Sequence, residues 1–136
     1  VLDNSVRRSI YLRVKRSELL PVMTIFDAPE PTASIGERSV TTVPSQALAM
    51  MNSPFVRQQA EKLADRVAKS AGSDSAQAVD QAFRIALARA PTRTEAARLS
   101  AFLDQAAAGG SAEARRKALA EACHTILCLN EFVYVD

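Results

Sequence analysis

Residues 26–55, FDAPEPTASIGERSVTTVPSQALAMMNSPF, form the one long stretch in which neither a helical nor a strand period holds. Four of the chain's six prolines fall in it: Pro29, Pro31, Pro44 and Pro54. Pro29 and Pro31 lack the backbone N–H and push Ala28 and Glu30 toward extended backbone, so no helix runs on past Asp27. Gly36 is the residue here that takes positive φ without strain. Ala28 to Thr42 therefore reads as a long irregular connection, a feature uncommon in compact domains and either functional or tightly packed where it occurs. It is crowded with polar groups: Asp27, Glu30, Ser34, Glu37, Arg38, Ser39, Thr41 and Thr42. Such groups either face a ligand or satisfy the loop's own backbone.

C-terminal to this stretch the pattern is amphipathic helix. Pro44 suits a first helical turn, with Thr42 or Val43 at the cap, and Gln46 to Met51 continues as a short apolar helix. Ser53-Pro54 is a second start signal. Val56, Ala60, Leu63 and Val67 then repeat at one-face spacing until Gly72. Val79, Ala82, Phe83, Ala86 and Leu87 make the next stripe, which Pro91 stops. Thr92 and Glu95 have the spacing of a capping box. Leu99, Phe102, Leu103 and Ala106 form the inner face that follows, closed by Gly109-Gly110. Ser111 opens a last helix with Leu119, Ala122, Cys123, Ile126 and Leu127 inward. These stripes predict helices over 54–70, 76–89, 93–107 and 112–129.

N-terminal to the stretch, Leu20, Met23 and Phe26 give one or two helical turns ending at Asp27. Further upstream, RRSIYLRVKR (Arg7 to Arg16) alternates Ile10, Leu12 and Val14 with Tyr11, Arg13 and Lys15, the period of a strand or extended chain, with a short helix as the alternative. Phe132 to Val135 has strand-like composition too. The two segments are expected to pair and join the termini, with Ile10, Leu12, Phe132 and Tyr134 on or near the helical core. Five basic residues within ten positions also make Arg7, Arg8, Arg13 and Lys15 a candidate anion-binding face, or a solvated one.

Composition narrows the function classes. Hydrophobic residues make 48% and charged residues 24%, as in globular domains. A net charge of +2 does not by itself argue for nucleic acid. No apolar run reaches the roughly 18 residues that a membrane helix needs. With no Trp, two Tyr and five Phe, the chain is poor in the aromatics on which sugars and bases stack. Cys123 and Cys128 lie about 7.5 Å apart along one predicted helix, too far to bridge. His124 and Cys128 share a helix face, but no fourth ligand stands at useful spacing, so no metal is assigned. Covalent haem attachment needs Cys-x-x-Cys-His, and the residue three before Cys123 is Ala120. A nucleophilic triad lacks its Ser elbow. A carboxylate pair for hydrolysis could be drawn from Asp27, Glu30 and Glu37.

The order of rare residues in FDAPEP and GERSVTTVPSQALAMMNSPFV resembles a known family. The matching positions are Phe26, Asp27, Pro29, Pro31, Gly36, Arg38, Thr41, Thr42, Gln46, Ala47, Leu48, Asn52, Pro54, Phe55 and Val56. RRSIYLRVKR upstream and the closing LCLNEFVYVD also match. The family is a planctomycete-type domain of unknown function, number fifteen fifty-three, at the C-terminal end of large exported proteins that often carry cytochrome-c-like modules. The resemblance implies an extracytoplasmic setting at the periplasm or cell surface. It also implies a haem-bearing module elsewhere in the parent protein, and no cofactor in this chain.

The expected fold is mainly α: a bundle of four or five helices, a long irregular N-terminal loop and a small two-stranded element joining the termini. A single domain spans 1–136, with short helices and the Pro/Gly loop in 1–52, the bundle in 53–130 and an extended tail in 131–136. The start at Val1, without Met or a signal-peptide pattern, reads as a piece of something longer. The expected role is a non-catalytic structural or protein-interaction module, whose partners are other domains of the parent protein or other subunits. Its contact surface would comprise Arg7, Arg8, Arg13, Lys15, Asp27, Glu30, Glu37 and Arg38. Pro29, Pro31, Gly36, Thr41, Thr42, Gln46 and Asn52 would shape the loop. Anionic-polysaccharide binding is the alternative, and a carboxylate hydrolase a third reading.

Overall fold

Among the described residues three α-helices open on a proline: α1 (Pro21–Ile25), α2 (Pro44–Asn52) and α3 (Pro54–Ala71). The missing N–H is harmless there, because the first turn has no intrahelical acceptor for it, and the fixed φ is already helical. Four more follow: α4 (Ser75–Leu87), α5 (Arg93–Ala108), α6 (Ala112–Leu127) and α7 (Asn130–Val133). The structure, a computed structural model, describes residues 9–11, 21–30, 32, 34–37 and 41–134. The chain divides into two compact units, Val1–Phe55 and Val56–Asp136.

In the first unit α1 packs on α2. The residues between them that are described, 26–30, 32, 34–37 and 41–43, form neither helix nor strand. Ser53 separates α2 from α3 with extended backbone (ψ 122°), which the following Pro54 enforces.

The second unit is built on small residues. Ala60, Ala64, Val67 and Ala71 of α3 are buried, with Ala78, Val79, Ala82 and Phe83 of α4, Leu103 of α5, and Ala118, Leu119, Ala122, Cys123, Ile126 and Leu127 of α6. Alanine at the contacts lets helix backbones approach, and Phe83, Leu103 and Ile126 fill the remaining space. α6 packs on α5 and α4, α4 on α5, and α7 rests on α4 and α6. Asp74 caps α4 by accepting from the N–H groups of Ala76 and Gln77. Ser111 caps α6 through Ala114. Gly72 (φ 58°) ends α3 in the left-handed region that glycine favours. Asp65 with Arg116 and Arg57 with Glu121 bridge α3 and α6 on the exposed surface, where such pairs contribute little.

The strand expectations need correcting. No strand occurs among the described residues. Ser9–Tyr11 is a 3-10 turn, and Ile10, expected on or near the core, is 81% exposed. Asn130–Val133 is helical, because Glu131 is drawn to Arg89 and the amides of Phe132 and Tyr134 bond back to Leu129 and Asn130. A two-residue period makes a strand only where a partner strand exists, and this helical turn takes the proposed partner away. The rest of the Arg7 to Arg16 segment, and Val135, lie outside the described residues. Phe102, expected inward, is 42% exposed; α5 centres its inner face on Leu103, about 100° around the helix.

Candidate functional site

Three of the family-like residues, Asp27, Thr41 and Gln46, meet at one place in the first unit. α1 ends in a Schellman motif. The amide of Ala28 donates to the Met23 carbonyl (2.9 Å) and that of Asp27 to the Thr24 carbonyl (3.3 Å), with Asp27 at φ 57°. Glycine is the usual occupant of that position. Aspartate tolerates it better than most side chains do. Gly36, expected to take positive φ, does not take it.

The left-handed turn aims the Asp27 carboxylate at the far end of the loop. Oδ2 of Asp27 accepts from both the backbone N–H and the hydroxyl of Thr41, each at 2.7 Å. Gln46, 2% exposed on the first turn of α2, completes the arrangement. Its Nε2 donates to the carbonyls of Ile25 and Thr41, both at 3.0 Å, and its Oε1 accepts from the Val43 amide at 3.2 Å. Thr41 is thus held at three atoms. One buried amide side chain joins the end of α1, the end of the loop and the start of α2. This Asp27–Thr41–Gln46 clasp closes the long connection with polar bonds.

The other candidates stand differently. Pro29, Glu30, Gly36, Glu37, Thr42 and Asn52 are exposed. Arg7, Arg8, Arg13, Lys15, Pro31 and Arg38 lie outside the described residues. Asp27 is not brought together with Glu30 or Glu37 by any hydrogen bond described.

A second polar cluster, in the second unit, was not anticipated beyond its capping box. Thr92 and Glu95 exchange the expected bonds: Glu95 Oε2 accepts from the Thr92 amide at 2.7 Å, and Thr92 Oγ1 from the Glu95 amide at 3.3 Å. The same Glu95 carboxylate accepts from Arg89 Nη1 and Nη2 at 3.0 Å. Arg89 also donates through Nε and Nη2 to both oxygens of Glu131, each at 2.7 Å. Its guanidinium lies 5.1 Å from the centroid of the buried Phe83 ring. Arg89 and then the Thr92 amide hold the Glu95 carboxyl down to about 2. Arg89 lowers Glu131 as well. One guanidinium thus favours the ionised form of both carboxylates and ties the start of α5 to α7. The cluster's sequence signal was faint: Arg89 and Glu131 are 42 positions apart.

Cys123 is buried, and burial pushes its thiol up to about 12; Cys128 is raised by partial burial against a smaller opposing pull from Arg57. Both are free thiols in a setting that disfavours the reactive thiolate. Among the described residues no group of three His, Cys, Asp or Glu is placed to hold a metal ion, and no helix is long and apolar enough to cross a membrane.

No curated protein and no solved structure matches the chain. A family model does match, over residues 2–103, and that span contains the whole clasp. The chain belongs to the PSD1 family, described as a protein of unknown function (DUF1553).

Proposed function

We propose that the chain is a non-catalytic structural or protein-interaction module of a larger exported or membrane-associated assembly. The observation that carries this reading is how the motif's polar groups are used. Asp27, Thr41 and Gln46 bond to one another and to local backbone, whereas Leu48 and Met51 of the neighbouring α2 stay 55% and 53% exposed. A ligand site spends its polar groups outward; here Asp27, Thr41 and Gln46 go into holding α2 in place, and the two large side chains left outward on that helix, Leu48 and Met51, are apolar. The occupant is another domain of the parent protein or another subunit, in the extracytoplasmic setting that the family resemblance implies.

The test is site-specific photo-crosslinking in a full-length family protein in its own cells. A photoreactive residue at Leu48 or Met51 is expected to capture another part of the chain or a second subunit, while one at the exposed Glu61 of α3 does not. Failure of both α2 positions to crosslink would overturn the reading. The alternative, anionic-polysaccharide binding, rests on the basic residues Arg7, Arg8, Arg13 and Lys15. It predicts salt-sensitive retention on a sulfated-glycan column, abolished by neutralising those four residues. The hydrolase reading is weakened because the Asp27 oxygen is occupied by Thr41.

A further inference from the structure

The C-terminal turn of the second unit stands apart from the core that carries it. α7 has four residues, none of them buried, and its N-cap, Leu129, makes no side-chain cap bond. A single turn of that kind is not stable by itself. What draws it onto the unit is Glu131, held by the paired donors of Arg89 at 2.7 Å, with Leu129 half-buried against the core beneath. Arg89 in turn is fixed by Glu95, by the Ala90 carbonyl at 3.0 Å and by the ring of Phe83. The catch is therefore rigid and rooted in the core, whereas the part it holds is short and half-exposed.

We infer that α7 is a strap that opens as a unit of its own, with Arg89 as the catch, while the α3–α6 core stays folded. Segments with few buried apolar contacts open locally at free energies below that of global unfolding. The catch is an ion pair at the surface, with Glu131 about half exposed (49%), so salt weakens it. The core contacts of Phe83, Leu103 and Ile126 do not depend on salt in that way. Opening frees Val133 and Tyr134, which are half-buried in the closed state, and uncovers Leu129 at the end of α6.

Hydrogen exchange on the whole purified chain tests this. The reporting amides are Phe132, Val133 and Tyr134, which bond to the Leu129 and Asn130 carbonyls; Ala122, Cys123 and Ile126 of α6 report the core. The strap amides are expected to exchange several-fold faster in 1 M than in ~0.05 M sodium chloride, with the core amides unchanged. Glu131→Gln is expected to make the strap fast at both salt concentrations, and Arg89→Lys, which keeps the charge but loses the fork, to fall between. The inference is overturned if the strap amides of Glu131→Gln stay as slow as the core. It is equally overturned if strap and core amides accelerate together, which would make Arg89 a support of the whole unit rather than a catch.

Discussion

Replacing Gln46 by leucine keeps the buried volume and removes three hydrogen bonds, to Ile25, Thr41 and Val43. A neutral hydrogen bond contributes about 1 kcal/mol net. Three would total about 3 kcal/mol, but Thr41 and Val43 are exposed, so water repairs part of the loss and the expected cost is about 2–3 kcal/mol. Gln46→Glu is expected to cost more, since it turns a carboxylate oxygen toward the Ile25 and Thr41 carbonyls in place of a donor. The assay is hydrogen exchange across residues 41–52. At about 1.4 kcal/mol per tenfold, α2 amides should exchange roughly 30- to 150-fold faster in Gln46→Leu. Exchange within about twofold of the parent chain in both variants would refute the clasp as the element that orders α2.

Two further outcomes follow from the second unit. Ala88 sits at φ 55° as the C-cap of α4; the left-handed region costs a non-glycine residue roughly 1–2 kcal/mol, and glycine gives back about 0.4–1 kcal/mol through its freer unfolded chain. Ala88→Gly is therefore expected to stabilise by up to about 1 kcal/mol, read as a raised urea midpoint, and a lowered midpoint would contradict the strain. Glu95, held down to about 2 against an ordinary 4.5, and Glu131, also lowered, are depressed carboxyls. The stabilisation from Glu95 is complete above the unfolded value and is lost as pH falls from about 4.5 toward about 2, and that from Glu131 is lost in the same direction, below the ordinary carboxylate range. The melting temperature should drop through that window less in Glu95→Gln, which keeps an acceptor for the Thr92 amide, than in the parent chain. Equal drops would show that the Arg89 contacts do not set the acid limb.

α3, α5 and α6 were legible because stripe and start signal agree at each one. α3, α5 and α6 begin at Pro54 and after Thr92 and Ser111, as their start signals require. The end of α4 was not legible: the expected run to residue 89, stopped by Pro91, ends at Leu87, because Ala88 adopts the left-handed cap. Alanine is the best helix former, so nothing local marks it as a terminator. Asp27 hid in the same way, since the proline pair after it already explained why α1 stops. α7 was read as a strand because four β-prone residues show period but not partner, and the partner, Arg89, is remote. The clasp residues were singled out through the resemblance, and the loop's polar groups were read as facing a ligand or satisfying its own backbone. Their pairing needs Asp27 beside Thr41, 14 positions on, and Gln46 beside Ile25, 21 positions back; a chain read in order carries no signal for that.

The central claim is that Asp27 and Thr41 are spent on each other. The direct measurement is a double-mutant cycle of Asp27→Ala and Thr41→Val in urea unfolding. The left-handed backbone at Asp27 penalises alanine in both arms and cancels, leaving the carboxylate–hydroxyl bond at 2.7 Å. A charge-assisted bond of that length predicts a coupling of about 1–2 kcal/mol. Additivity within about 0.3 kcal/mol would contradict the account and return Asp27 to the surface as a residue held for a ligand.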